Sequence, residues 1–111
     1  MLTNATFNHA NLIVNRMGIM DEFEKIYSRD IIPYMKPYSR CYQSVSRDIE
    51  HGLLSQTNEY IFFDDLLVNL EGANKEGWKT VWISPDLQSY KYPFVNNAFP
   101  TLKDALDKLN V

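Results

Sequence analysis

Three small groups of residues have the chemical types needed to hold an anion against a metal. The first is Asp64–Asp65, two adjacent carboxylates closing the apolar run Tyr60–Phe63, with no basic residue beside them. Like charges this close raise one another's pKa unless something positive stands against them. A hard divalent cation meets that need: magnesium takes oxygen ligands, keeps several waters, and is commonly held by one or two carboxylates together with a substrate phosphate. The pair also has a purely local reading, in which Asp65 caps the following helix and Asp64 is solvated at the strand edge. The second group, Thr3–Asn4, lies where a strand end runs into a helix. A hydroxyl, an amide and the N–H groups of a helix N-terminus together make an anion site. The third is Lys36, a cation just before a helix, which either neutralises a phosphoryl oxygen or carboxylate or is an ordinary exposed lysine.

These groups must be carried by strands and helices, and the sequence predicts where. Met1 and Leu2 read as the last residues of a strand, and Thr6 to Met17 as a helix with Ala10, Ile13, Val14 and Met17 at helical spacing and Gly18 ending it. "FEKIYS" predicts a short strand, followed by a loop through Pro33 and Pro37. A second helix is predicted just after Lys36, with Cys41, Val45 and Ile49 four residues apart and Gly52 closing it. Tyr60 to Phe63 is apolar throughout and too short for a helix, which predicts a strand buried on both faces. A helix with Leu67, Leu70 and Ala73 on one side follows and ends at Gly77, and "KTVWIS" is the next strand. Strand, helix and strand in so few residues imply a parallel, right-handed crossover and an α/β sheet with helices on its faces. Pro85 to Phe99 reads as irregular and aromatic, with Tyr90, Tyr92 and Phe94 packed on the surface. Thr101 and Asp104 then open a last helix whose apolar face is Leu102, Ala105, Leu106 and Leu109.

Composition narrows the classes. With 111 residues the chain suits one small domain, 1–111, with a single core. A net charge of −3 with scattered basic residues argues against a nucleic-acid polymer or an anionic membrane as partner. Cys41 is the sole cysteine, which excludes an intrachain disulfide and fits a reducing compartment, with the thiol as a small buried hydrophobe. No apolar run reaches the length of a membrane span and the first residues lack the pattern of a signal peptide, so a cytoplasmic protein is expected.

The ordered set of Thr-Asn after a strand, Lys-Pro before a helix, and Asp-Asp after an apolar strand with Asn69 downstream resembles the second, third and fourth motifs of the haloacid-dehalogenase-like (HAD) hydrolase superfamily. "TNA…H" at Thr3 to His9, "MGI…FE" at Met17 to Glu24, "KP" at Lys36 and "FFDD…N…A…GWKTV" at Phe62 to Val81 are most similar to its pyrimidine 5′-nucleotidase-type members. The resemblance implies a partial Rossmann-like parallel sheet and a magnesium-dependent phosphate monoester hydrolase acting on a nucleotide or other small phosphorylated metabolite. It implies Thr3 as the phosphoryl-holding hydroxyl with Asn4 assisting, Lys36 as the cation that stabilises nucleophile and developing charge, Asp64 and Asp65 as magnesium ligands, and Asn69 as their support. Phosphoryl transfer relies on such positioned donors, a lysine and a metal. His9, His51, Trp78 and Trp82 read as structural.

The family's first motif, Asp-x-Asp-x-Thr/Val, has no counterpart in the 111 residues. The resemblance therefore implies a core whose first, central strand and cap are absent and whose aspartate nucleophile is missing, a loss of about 10⁴ to 10⁶ in rate. Removal of a central strand leaves unpaired edges; the remaining strands pair directly, a second copy or another chain supplies the strand, or the chain is a fragment of a longer product, and a homo-oligomer or complementing chain is the expectation. The alternative to a hydrolase core is a non-catalytic binding or regulatory module that pairs with another chain through that edge.

Overall fold

The computed structural model describes residues 1–18, 25–32, 34–51, 59–86 and 92–109. The chain divides into two compact units, Met1–Gly52 and Leu53–Val111. Among the described residues no helix is long and apolar enough to cross a membrane.

In the first unit Leu2 bridges in parallel to Tyr27, with Thr3 N–H donating to the Tyr27 carbonyl at 2.9 Å and Tyr27 N–H to the Met1 carbonyl at 2.7 Å. The predicted strand ends at residues 1–3 and 25–28 are thus paired with each other, while Phe23 and Glu24 lie outside the described residues. Helix α1 covers Phe7–Arg16, and Thr6 caps it by accepting from His9 N–H. Gly18 takes the left-handed conformation (φ 69°) expected of the residue that stops the helix. Of the four predicted apolar positions only Ala10 and Val14 are buried, forming a cluster with Ile26; Ile13 and Met17 are exposed. The buried stripe is narrower than the spacing implied, one residue wide at i and i+4.

Helix α2 covers Ser39–His51, two residues later than the sequence predicts, because Met35–Tyr38 forms a separate turn closed by Tyr38 N–H on the Met35 carbonyl. It buries Cys41, Tyr42 and Val45, while Ile49 is half-buried. The proposed terminator Gly52 lies outside the described residues.

The second unit is a parallel β–α–β unit extended by one strand and one helix. Strands β1 (Ile61–Asp64), β2 (Lys79–Ile83) and β3 (Asn97–Phe99) form a sheet in the order β1-β2-β3, all parallel. Helix α3 (Leu67–Lys75) crosses from β1 to β2 and packs on both through Leu70 and Ala73, which are fully buried. It ends in two backbone bonds, Trp78 N–H to the Ala73 carbonyl and Gly77 N–H to the Asn74 carbonyl, with Gly77 at φ 82°. That pairing consumes carbonyls the last turn leaves open and requires a left-handed residue at Gly77. Trp78 stacks on Tyr60 (5.1 Å between centroids) and meets Phe62 edge-on, as packing residues do.

Three expectations are corrected here. Tyr60–Phe63 is not buried on both faces: among the described residues β1 stands at the edge of its sheet, Phe62 is buried, and Ile61 is 43% exposed. The stretch before Thr101 is not wholly irregular, since Asn97–Phe99 pairs with β2. Helix α4 (Leu102–Leu109) opens as predicted, with Asp104 N–H donating to Thr101 Oγ1, but of its apolar face only Ala105 is buried, and Leu102 and Leu106 are exposed.

Candidate functional site

In the first unit the fold joins Thr3, Asn4 and Lys36, which are about 30 positions apart in the chain. The Asn4 side chain brackets the backbone of Lys36: its Nδ2 donates to the Lys36 carbonyl at 3.3 Å and its Oδ1 accepts from Lys36 N–H at 2.9 Å. Lys36 Nζ reaches back to donate to the Leu2 carbonyl at 3.3 Å, which holds the ammonium at the end of the Leu2 strand segment. Thr3 Oγ1 accepts from Ala5 N–H at 3.1 Å. A hydroxyl that accepts from the backbone keeps its own O–H to donate, the polarity a phosphoryl oxygen needs.

The first amide of helix α1 is already partnered. Helix α1 starts at Phe7, four residues beyond Thr3, and its Phe7 N–H donates to Asp30 Oδ2 at 2.6 Å. An acid already meets the positive end of the helix. Asp30 lies 23 residues from Phe7, and no local pattern announces it. Cys41 packs in the core of the same unit; burial pushes its thiol up from the ordinary range, with the nearby Lys36 charge opposing.

In the second unit Asp64 is the last residue of β1 and Asp65 the first beyond it. Asp64 Oδ1 accepts from Leu66 N–H at 2.9 Å and Oδ2 from Asn69 Nδ2 at 3.2 Å. Asn69 is buried on the first turn of α3, so its amide pins the carboxylate from inside the unit. The local alternative for the pair fails in its detail: the residue capping α3 is Leu66, with no side-chain cap bond, and the acid that bonds the turn is Asp64. Asp65 has an exposed side chain, while its carbonyl accepts from Trp82 Nε1 at 3.1 Å. Among the described residues no three His, Cys, Asp or Glu side chains converge on one point. Magnesium is commonly held by one or two carboxylates and mostly water, and Asp64 and Asp65 are carboxylates at one strand end.

No family model matches the sequence. Solved structures do match the fold. A dehalogenase with an intermediate complex superimposes with a TM-score of 0.80 at 21% identity, over 96% of this chain and 46% of its own. YfnB from Bacillus subtilis, assigned as a HAD-hydrolase and bound to magnesium, gives 0.77 at 19% identity, over 99% of this chain and 48% of its own. A HAD phosphatase from Thermococcus onnurineus gives 0.68 at 21% identity, over 91% and 45%. The chain therefore has the fold of HAD-type hydrolases, an α/β architecture with a parallel sheet flanked by helices. It spans less than half the length of the structures it matches.

Proposed function

We propose that the chain is part of a HAD-type phosphate monoester hydrolase of the pyrimidine 5′-nucleotidase kind, with a nucleotide or small phosphorylated metabolite as ligand. The observation that carries this reading is the bracket of Asn4 around Lys36, which sets a hydroxyl and an ammonium at one strand end. Thr3 donates to a phosphoryl oxygen, Lys36 neutralises it, and Asn4 acts by holding Lys36. Asp64 and Asp65 would hold magnesium, with Asn69 orienting Asp64; the ion would offset phosphoryl charge and help position the ester. These 111 residues contain no Asp-x-Asp to attack phosphorus, so the chain alone binds phosphate without turning it over.

Calorimetry with inorganic phosphate tests the reading. Lys36→Met is expected to weaken the heat assigned to this site at least tenfold, and Thr3→Ala by a smaller factor. Equal binding in Lys36→Met and the parent would refute it. Hydrolysis of p-nitrophenyl phosphate with magnesium should not exceed that of Asp64→Asn.

A second reading, a binding or regulatory module, is favoured by the edge of β1. Tyr60 carbonyl accepts from Lys79 N–H at 2.9 Å with Ile61 opposite Lys79, so the backbone groups of Ile61 and Phe63 point away from β2. Among the described residues no strand pairs with that side of β1, and an open edge invites another strand, here that of a second copy. Sedimentation over a hundredfold concentration range should then show a dimer lost in Ile61→Lys; a monomer throughout would discard this reading.

A further inference from the structure

Along one side of α2, Arg40, Gln43, Ser44 and Arg47 follow at i, i+3, i+4 and i+7, the spacing that lines up a single helix face. With Tyr34 they line a groove of 360 Å³, and no carboxylate among the described residues borders it. Arg40 is held across this groove: its Nη1 donates to Tyr34 Oη at 3.2 Å and its guanidinium lies 5.5 Å from the centre of the Tyr34 ring. Arg47 makes no ion pair among the described residues. The neighbouring acid, Asp48, is bound instead to Lys25 and Tyr27, each at 2.8 Å. Ser44 Oγ donates to the Arg40 carbonyl, so its proton is already committed.

Two guanidinium groups therefore face one small cavity in a chain whose net charge is −3. The Tyr34 hydroxyl accepts from Arg40 and keeps its O–H to donate. Guanidinium forks match the tetrahedral oxygens of a phosphoryl group, where two cations and a hydroxyl can each take one oxygen. None of Thr3, Asn4 and Lys36 lines the groove. We propose that this groove is a second anion site, which binds the phosphoryl group of a small soluble phosphate ester between Arg40 and Arg47. Its volume is at the lower end for small-molecule sites, which suits a compact phosphorylated metabolite more than a nucleotide.

The test follows the arginine Nε–Hε resonances of the full chain by NMR during titration with inorganic phosphate and then with glycerol phosphate. Saturable shifts of the Arg40 and Arg47 signals are expected, unchanged in Lys36→Met and at least tenfold weaker in Arg47→Gln and Arg40→Gln. Because Lys36→Met removes the Thr3–Lys36 site and Arg47→Gln does not, failure of either site is told from failure of the other. Non-saturating shifts, or equal affinity in Arg47→Gln, would overturn the proposal. Binding to vesicles containing phosphatidic acid without any response to the soluble ligands would overturn it as well.

Discussion

Asn4 commits both ends of its amide to the backbone of one residue, and this is the most consequential side chain in the first unit. Asn4→Ala leaves the Lys36 N–H and carbonyl without those partners in a half-buried setting, and should cost about 1–3 kcal/mol in urea denaturation. It should also weaken phosphate binding although Asn4 need not touch the ligand. A different dependence belongs to Asp48. The hydrogen bonds from Lys25 and then from Tyr27 hold its carboxyl below its ordinary value of 3.8. A carboxyl whose folded pKa is depressed stabilises the fold above the unfolded pKa, and that contribution is lost as pH falls through the folded one. Stability of the parent should therefore fall more steeply than that of Asp48→Asn below about pH 4, by an amount that salt reduces because the pair is exposed. Neither contact was legible in the sequence. Asn4 and Lys36 are 32 positions apart and Lys25 and Asp48 are 23 apart, so the residue types were visible but their pairing was set by chain folding.

At the scale of elements, the β1–α3–β2 crossover was the most legible part of the chain. An apolar run, a helical repeat ending in glycine and a second apolar run each carry a local signal, and each is realised. Gly77 is the sharpest of these. Its φ of 82° disfavours any side chain, while a Cβ there would meet nothing within 4 Å. Gly77→Ala should thus cost about 1–2 kcal/mol through the backbone alone, and Gly77→Asn less, as read by thermal unfolding. Strand β3 was not legible because three residues, Asn-Ala-Phe, have no strand pattern of their own. It is held from outside: Thr80 N–H donates to Asn96 Oδ1 at 2.8 Å, Asn96 N–H to Thr80 Oγ1 at 3.2 Å, and Thr80 Oγ1 to the Phe94 carbonyl. The burial of α1 and α4 was overestimated for a related reason. Periodicity shows which side chains share a face but not how much of that face finds a neighbour.

For the whole molecule, the fold of HAD-type hydrolases follows from the solved structures it matches at TM-scores of 0.68 to 0.80. At identities near 20% that likeness concerns the backbone, so the chemistry must be argued from the side chains. What they offer is divided between the units: a hydroxyl and an ammonium in Met1–Gly52, and two carboxylates with a buried amide in Leu53–Val111. The magnesium half of the proposed function requires the acid pair to take a divalent cation. Isothermal titration of magnesium into the full chain, with inorganic phosphate present, tests that most directly. The account predicts a saturable magnesium heat that weakens at least tenfold in Asp64→Asn; no magnesium heat in the parent, or an equal one in Asp64→Asn, would contradict it.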